Sequence, residues 1–380
     1  MRLHRKQTDE IIGTLRRWLP LGMACSLPQL LRAENHVDYR YEYYGEENDR
    51  MKIETHSVYF EQQMIDSVIA KGELIYDGIS GATPKGTYEG SPDSGMPTLV
   101  QLHDTRRAFN LELDTKLGRH TLTPGFAYSS ESDYTSYGIS LTDEIAFNDK
   151  NTLVRIGGAH NFDWVLDNSN PRNNRDKGST DFLIGITQLL TPKTVLSADF
   201  TYGYESGYLT DPYRRAEFVY PRRLLGVSRF EIRPDHRDKE IIALSLTQFF
   251  ESVDASLEGS YRFYHDSFGV DAHTLALTWH QWLGKHLMVE PTFRFYEQSA
   301  ASFYSPLFHV DPNTLEFYSA DYRLSQFYSL TYGVQATVMV NDHLHIVAGY
   351  HRYEMRGLDD TPRGTYPQAN IFTVGISILW

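Results

Sequence analysis

The sequence predicts one closed antiparallel β-barrel that crosses a membrane, built up and down from about sixteen strands. Three observations support this all-β prediction. Apolar and polar residues alternate in short segments along the whole chain, the last of these segments ends on an aromatic residue, and short turns alternate with long polar connections. A soluble β-sandwich also has alternating strands, but it has no reason to gather its long connections on one side.

The composition is consistent with a barrel wall. The chain has 380 residues, 13% of them aromatic, with 26 Tyr and 20 Phe, and its mean hydropathy is −0.43. No apolar run reaches the roughly 20 residues that a membrane-spanning helix needs. Because a barrel strand turns only every second side chain toward lipid, a polar average remains compatible with crossing a membrane.

The amino terminus predicts an export signal over residues 1–33, followed by a single barrel domain over residues 34–380. Basic residues precede an apolar stretch from Trp18 to Leu31, and Ala33 offers a small residue at the cleavage position. The one cysteine, Cys25, lies inside this signal, so the exported chain would have no disulfide and no cysteine metal site. The net charge of −13 argues against nucleic-acid binding.

Strand-like segments follow one another to the end of the chain. In a strand, alternate side chains point to opposite faces, so each segment has one apolar and one polar face. The clearest apolar faces are Val37 to Tyr43, Phe109 to Leu113, Leu122 to Tyr128, Leu196 to Tyr204, Val253 to Phe263, Leu287 to Phe295 and Leu344 to Tyr350. Most segments have about the 9–11 residues that a tilted spanning strand requires.

The final segment has a continuous apolar face that ends at the last residue. Its members alternate with Thr373, Gly375, Ser377 and Leu379, and they are Phe372, Val374, Ile376, Ile378 and Trp380. The segment resembles the closing strand of bacterial outer-membrane barrels, which implies recognition by the barrel-assembly machinery as a partner. Aromatic residues near the strand ends are expected in the interfacial girdles, in contact with membrane lipid and lipopolysaccharide.

The connections between strands fall into two classes. Tight turns are predicted at Gly118, at 148–151, at 191–193, at 251–252, at 284–285 and at 341–342. The long polar connections between them are 78–104, 161–179, 206–237, 298–321 and 356–368. If the first strand runs outward, every long connection lies on the same side, as in outer-membrane barrels with short periplasmic turns and long extracellular loops.

Four segments resemble an uncharacterised family of bacterial outer-membrane proteins, the domain-of-unknown-function family three-five-seven-zero. They are Asp77 to Pro84, Tyr261 to Thr274, Pro291 to Tyr304 and Ser319 to Ser325. Phe263 and Phe268 stand where the family pattern has Tyr and Trp. The resemblance implies an outer-membrane β-barrel in a bacterial outer membrane and supplies no reaction, ligand or functional residue.

The polar faces predict a charged network in the lumen. Charges inside a barrel must be paired or hydrated, so this network either braces the wall or forms a constriction that selects passing solutes. Its predicted members are Asp38, Arg40, Glu42, Glu112, Asp114, Arg155, Asp199, Asp254, Glu258, Arg262, Glu290 and Arg294. We expect a channel or porin-like transporter for small solutes. The alternative is a non-conducting scaffold or receptor for an envelope partner.

Other candidate sites have weaker patterns. A lipase-like pair, His265 and Ser267, would share one strand face, but no Asn follows to orient the histidine, so no enzyme activity is predicted. Oxygen ligands in 161–179 would fit a structural calcium ion, although their spacing matches no helix-loop-helix calcium loop, and no other cofactor or metal is expected. A basic loop would narrow the lumen or bind lipopolysaccharide phosphates through Arg214, Arg215, Arg222, Arg223, Arg229, Arg233 and Arg237.

Overall fold

The chain forms a closed antiparallel barrel of sixteen strands, which confirms the predicted fold class. A computed structural model describes residues 35–88, 96–167, 174–219 and 226–380. In the order of the wall, the strands are β1, β18, β17, β16, β15, β14, β13, β12, β9, β8, β7, β6, β5, β4, β3 and β2. Two further strands, β10 and β11, pair with each other in a separate two-stranded sheet. The predicted signal, residues 1–33, lies outside the described residues.

The strands have the following bounds in chain order: β1 His36–Glu46, β2 Met51–Ile65, β3 Val68–Tyr88, β4 Pro97–Leu117, β5 His120–Ser130, β6 Tyr134–Phe147, β7 Thr152–Leu166, β8 Asn174–Thr191, β9 Thr194–Gly207, β10 Arg215–Phe218, β11 Val227–Phe230, β12 His236–Phe250, β13 Ala255–Asp266, β14 Asp271–Leu283, β15 Leu287–Gln298, β16 Phe327–Asn341, β17 Leu344–Gly357 and β18 Gln368–Leu379. None of the helical segments in these described parts of the chain is long and apolar enough to span a membrane.

Closure of the wall depends on the pairing of the first and last strands. β1 runs antiparallel to β18, with Tyr39 opposite Ile376 and Tyr43 opposite Phe372. Because hydrocarbon offers no hydrogen-bond partner, an unpaired strand edge there would leave backbone polar groups unsatisfied. The terminal strand thus completes the barrel.

The two faces of the wall follow the alternation in the sequence. Leu111 and Leu113 are 40% and 38% exposed on the outer face of β4, whereas Asp114 is only 3% exposed. On β18, Phe372, Val374 and Ile376 are exposed on the outer face, and the residues between them are buried in the lumen wall. An apolar outer belt therefore surrounds a polar interior.

The connections are sorted between two rims, as predicted. The turn rim holds only short links, at 66–67, 118–119, 148–151, 192–193, 251–254, 284–286 and 342–343. The loop rim holds the longest connections, 208–235 and 299–326, and the intermediate connection 358–367. The prediction of long loops at 78–104 and 161–179 is wrong, because β3, β4, β7 and β8 extend as paired strands through most of those residues.

The lipid-facing position of Ile376 leads to a stability prediction. Ile376 lies midway between Phe372 and Trp380 in the exposed row of β18 and is itself 44% exposed. Replacing it with Arg is expected to lower the free energy of unfolding by about 2–4 kcal/mol, the cost of a cation near the bilayer midplane. Urea unfolding of the refolded barrel in lipid vesicles measures the difference.

Ser377 provides the matched control for this substitution. It is the next residue of the same strand, faces the lumen and pairs with Asp38 of β1. Ser377→Arg introduces the same charge into a hydrated interior beside a carboxylate, so its effect is expected to be small. Equal losses in the two variants would contradict the assignment of the two faces.

Candidate functional site

Two long loops fold against each other over the loop rim. We call the loops 208–235, which contains β10 and β11, and 299–326 together the lid. Their backbones are joined by hydrogen bonds: Ile232 N donates to Tyr318 O at 3.0 Å, and Tyr318 N donates back to Ile232 O at 2.8 Å. Phe308 N also donates to Glu217 O at 3.0 Å. The two loops therefore form one folded unit.

The lid has an apolar core of its own. Phe218 stacks on Phe308 with ring centroids 5.0 Å apart and meets Tyr318 edge-on at 4.9 Å. Ala216 and Ala320 complete this cluster, in which Phe218 is fully buried. Aromatic pairs of this geometry add about 0.5–1.5 kcal/mol each beyond the area that they bury. This packing favours one ordered arrangement of the loops.

A cluster of charges joins the same two loops; five of its six side chains are less than 20% exposed, and that of Arg323 is 50% exposed. We call it the lid charge cluster, and it consists of three carboxylates and three guanidinium groups: Asp211, Glu231, Asp321, Arg214, Arg233 and Arg323. Asp321 is its centre and is 1% exposed. Arg233 Nη2 lies 2.8 Å from Asp321 Oδ2, and Arg323 Nε donates to Asp321 Oδ1 at 3.0 Å.

The ions of the lid charge cluster compensate one another in the interior of the lid. Arg233 Nε is 2.7 Å from Glu231 Oε1, and Arg323 also pairs with Asp211. Burial alone would raise the pKa of Asp321, but the surrounding guanidinium groups, first that of Arg323, hold it well below its usual range. Asp321 is therefore ionised at neutral pH and needs its arginine partners.

The lid is anchored to widely separated parts of the loop rim. Arg214 Nη2 donates to Thr83 Oγ1 of β3 at 3.2 Å, and Tyr213 donates to Asp133 in the β5–β6 connection. The hydroxyls of Tyr304 and Thr361 are 2.5 Å apart and join the lid to the β17–β18 connection, three positions from β3 around the wall. Since β3 lies far from β12 and β15 around the barrel, the lid crosses the mouth.

Inward-facing tyrosines support the lid from below. Tyr264 of β13 packs on an apolar cluster that includes Leu324 of the lid. Tyr296 of β15 and Tyr353 of β17 pack on the cluster of Tyr322, Phe327, Met355 and Tyr366. Tyr322 belongs to the lid, so this segment of the lid rests on the upper lumen wall.

Below the lid, charged side chains of the lumen wall are paired. Lys71 Nζ lies 2.6 Å from Asp114 Oδ2, and Arg155 Nη2 lies 2.7 Å from Asp199 Oδ1. Glu290, 2% exposed, accepts a hydrogen bond from Gln335 at 3.1 Å. These contacts join β3 to β4, β7 to β9 and β15 to β16, and they brace the wall.

Arg262 and Arg294 also face the lumen, but they are not paired in this way. Within the described parts of the chain, neither guanidinium forms an ion pair or a hydrogen bond with a protein group. Arg262 lies over the ring of Tyr264 at 5.5 Å, and Arg294 lies over the ring of Tyr296 at 5.3 Å. Both face the lumen from the strand positions just below the lid.

Most of the predicted lumen residues do face the interior. They are Asp38, Arg40, Glu42, Glu112, Asp114, Arg155, Asp199, Glu258, Arg262, Glu290 and Arg294. Asp254 does not, because it lies exposed in the turn 251–254 with a φ of +50°. The alternation of apolar and polar residues continues upstream of β13 to Val253. Asp254 was therefore predicted to be a wall residue, although it lies in the turn.

Three of the five described arginines of the predicted basic loop have carboxylate partners. Arg214 and Arg233 belong to the lid charge cluster, and Arg237 of β12 pairs with Asp266. Arg215 donates to Ser228 Oγ at 2.8 Å, and Arg229 lies on β11. The remaining two, Arg222 and Arg223, lie outside the described residues.

The lipase-like pair does not form a linked site. His265 Nδ1 lies 2.7 Å from Asp271 Oδ1, and both side chains are about half exposed, at 49% and 54%. Ser267 Oγ instead accepts a hydrogen bond from Asp238 N at 3.0 Å. In the described structure, His265 and Ser267 share no hydrogen bond. Asp271 was not predicted as the partner of His265, although the hairpin turn at 267–270 places the two residues opposite each other.

The predicted calcium loop is only partly described, since 168–173 lie outside the described residues. Two of its carboxylates already have cationic neighbours, Asp163 with Lys177 at 4.0 Å and Asp167 with Arg175 at 3.6 Å. Across the part of the chain that the structure covers, the carboxylates close enough to share one cation are elsewhere, at Asp104, Glu131 and Asp133. Calcium binding at 161–179 stays a prediction.

Four members of the lid charge cluster escaped the sequence analysis: Asp211, Glu231, Asp321 and Arg323. No periodicity marks them: each has a partner two or three residues away, but the ion pairs that join the two loops cross about a hundred residues of sequence. One signal was present, since Asp321 and Arg323 fall within the segment Ser319 to Ser325 that resembles the uncharacterised family.

The closed wall, apolar belt and polar lumen define a transmembrane β-barrel of the type found in bacterial outer membranes. The family described as "Protein of unknown function (DUF3570)" matches residues 22–173 and 165–377, so the chain belongs to that family. No curated protein matches the sequence.

Solved barrels share the fold at low sequence identity. CdiB from Acinetobacter baumannii has a TM-score of 0.52 at 9% identity, over 91% of this chain and 60% of CdiB. This chain therefore spans about three fifths of that protein. A bacterial polysaccharide outer membrane secretin has a TM-score of 0.49 at 10% identity, over 92% of this chain and 100% of the secretin. OmpT, an outer membrane protein of Vibrio cholerae, has a TM-score of 0.44 at 8% identity, over 91% and 96% of the two chains.

Proposed function

We propose that this protein is an outer-membrane channel that admits small polar solutes and excludes larger ones at its lid. The observation that carries the proposal is a charged, inward-facing wall beneath loops that cross a single mouth. On this proposal, residues 1–33 direct export, and the terminal strand from Phe372 to Trp380 is read by the barrel-assembly machinery. The outer belt contacts membrane lipid and lipopolysaccharide.

The interior of the barrel supports passage of water and polar solutes. Barrels with 16 strands have a diameter large enough for an aqueous channel when side chains do not fill them. The wall presents ionised groups such as Lys71, Asp114, Arg155 and Asp199, and ionised groups in a barrel interior are stable when paired and hydrated. A hydrated lumen is the environment that a diffusing polar solute needs.

The lid supports selection by size. It rises from β12 and β15 and reaches β3, seven and six positions away around the wall, through Thr83; Thr361 also joins it to the β17–β18 connection. A solute from the loop side must pass between the lid and the wall. A narrow passage of this kind predicts small unitary conductance and exclusion of large solutes.

Reconstitution into planar lipid bilayers tests the proposal. The refolded protein is expected to insert and to produce discrete conductance steps in potassium chloride, because its lumen is hydrated and its lid leaves only a narrow path. The same preparation denatured before addition is the control. Altered migration on an unheated gel, compared with the heated sample, shows that the barrel is folded. A folded barrel that produces no conductance steps would contradict channel function.

A second candidate function is a non-conducting receptor. A cavity of about 540 Å³ opens on the lid, and its wall includes Phe268, Phe303, Phe308, His309 and Phe317. An aromatic cavity of this size is large enough to hold part of an envelope partner or a ligand. Bilayer silence together with ligand binding at this cavity would favour the receptor over the channel.

Hydrolysis of lipid is the third candidate. His265, Asp271 and Ser267 lie at the loop rim, but the serine hydroxyl is engaged by the backbone of Asp238 and not by the histidine. Nucleophilic catalysis requires the base within hydrogen-bond reach of the hydroxyl. We therefore propose no enzyme activity, and release of fatty acid from phospholipid vesicles by the purified barrel would overturn this proposal.

A further inference from the structure

We propose that Arg262 and Arg294 form an anion-binding site below the lid, which selects solutes that carry carboxylate or phosphate oxygens. The proposal rests on the channel function and names the class of solute that it takes. It differs from a general charged lining, because it assigns the selection to two particular side chains on β13 and β15.

The strand register brings the two arginines together. Arg262 lies opposite Thr274 of β14, and Thr274 lies opposite Tyr296 of β15, two residues beyond Arg294 on the same face. Neighbouring strands are about 4.8 Å apart, so β13 and β15 are separated by roughly 10 Å. Two extended arginine side chains can span that distance and converge on one anion.

The two charges lack protein counterions. Lys71 and Arg155 each have a carboxylate within 2.7 Å, whereas Arg262 and Arg294 have none within ion-pair distance in the described structure. The nearest inward-facing carboxylates along their own strands are Glu258 and Asp266, each four residues from Arg262, and Glu290, four residues from Arg294, a separation of about 13 Å along a strand. Asp266 is paired with Arg237. Glu290 is already 2.7 Å from His280 Nδ1. These acids do not neutralise the arginines.

The tyrosines position the guanidinium groups and leave their donors unused. The rings of Tyr264 and Tyr296 hold Arg262 and Arg294 by cation–π contacts at 5.5 and 5.3 Å. A guanidinium has five N–H donors in a planar fork that fits two oxygens of a carboxylate or phosphate. Such a stacked arginine keeps its full positive charge for a solute.

The pair lies on the lumen wall directly below the lid, where a solute that has passed the lid enters the barrel. Tyr264 and Tyr296 touch the clusters that include lid residues, and each arginine lies two residues further from the loop rim than its tyrosine. Thr274 and Thr292 are the small polar neighbours on the same inward face. They leave room beside the arginines for an anion of modest size.

The first test is ion selectivity in planar bilayers. The wild type is expected to favour chloride over potassium in a salt gradient, and Arg262→Gln with Arg294→Gln is expected to reduce this permeability ratio at least tenfold. Millimolar inorganic phosphate and succinate, added separately, are expected to reduce the chloride current of the wild type but not that of the double Gln variant. If phosphate blocks the current at a lower concentration than succinate, the site prefers phosphate groups; if succinate does, the site prefers carboxylates.

Two further variants show whether a change in selectivity comes from the positive charges at positions 262 and 294. Arg107→Gln removes one positive charge from the exposed outer face of β4, so it is expected to leave selectivity and block unchanged. The double Lys variant at 262 and 294 keeps the charge and is expected to restore most of the chloride preference. Unchanged selectivity in the double Gln variant, in a barrel that still conducts, would overturn the anion site and leave the channel function standing.

A folded wild-type barrel that produces no conductance would instead overturn the channel function. The anion site would then be tested by the binding of phosphate and succinate. In detergent, inorganic phosphate is expected to raise the unfolding temperature of the wild type and of Arg107→Gln, but not of the double Gln variant. A wild-type barrel whose unfolding temperature does not respond to phosphate or succinate would overturn the site. Migration of each variant on an unheated gel shows that it is folded.

Discussion

Replacing Asp321 with Asn is expected to open the lid while the barrel stays folded. Asp321 is 1% exposed and faces three guanidinium groups, those of Arg214, Arg233 and Arg323. Removal of one partner from a buried ion pair costs about 3–5 kcal/mol. In this variant the two remaining carboxylates, Asp211 and Glu231, face three guanidinium groups. The lid can avoid this cost by separating its two loops and hydrating the arginines.

The opened lid has two measurable consequences. Trypsin is expected to cut Asp321→Asn within 208–235 or 299–326 under conditions in which the wild type resists cleavage. The unitary conductance in planar bilayers is expected to rise, since the lid no longer narrows the mouth. The strands of the wall contain none of the altered contacts, so migration on an unheated gel remains that of a folded barrel.

Asp311 offers the matched control. It lies in the same lid loop, caps the short turn Pro312–Thr314 by accepting from Asn313 N, and forms no ion pair among the described residues. Asp311→Asn makes the same chemical change, and Asn is as good a cap as Asp. If Asp321→Asn were as resistant to trypsin and conducted as little as Asp311→Asn, the lid charge cluster would not be what holds the lid closed.

The barrel itself was predictable because its determinants are local. The alternation of Leu111, Glu112, Leu113 and Asp114 fixes which residues face lipid, and this requires only neighbours in the chain. The family resemblance and the strand count are likewise confirmed by the family match and the sixteen-strand wall. Hydrophobic patterning thus specifies the wall without knowledge of distant contacts.

The lid was not predictable because its determinants are distant in sequence. Asp211 and Arg323 pair across more than a hundred residues, and no periodicity marks either of them. Arg214 and Arg233 were interpreted as part of a free basic loop, although Asp211 and Glu231 of the same loop lie beside them and Asp321 of the other loop contacts both. Composition can count charges within a loop, but only the tertiary structure shows which of them compensate each other.

Replacing Gly86 with Ala is expected to detach the lid from β3, an effect independent of charge. Gly86 has a φ of +92°, and a methyl group there would lie 2.2 Å from Arg215 O and 3.2 Å from Ala320 O. Arg215 and Ala320 belong to the two different loops of the lid. The added methyl therefore pushes β3 away from both loops at the place where they meet the wall.

The expected free-energy cost of Gly86→Ala has two parts. A left-handed backbone conformation costs a residue other than glycine about 1–3 kcal/mol, and overpacking costs about 1–3 kcal/mol more. Because the overlap is with backbone carbonyl oxygens, rotation of a side chain cannot relieve it. Movement of the lid can relieve it, so trypsin cleavage of the lid is the measurement, together with unitary conductance.

Gly284→Ala separates the steric effect from the backbone effect. Gly284 also has a positive φ, +72°, but lies in a turn at the opposite rim with nothing within 4 Å of an added methyl group. This control is expected to lower the free energy of unfolding by about 1–3 kcal/mol and to leave the lid resistant to trypsin. A lid that stays closed in Gly86→Ala would show that the contact with β3 does not anchor it, and the lid would then depend on the lid charge cluster and its contacts with the β17–β18 connection.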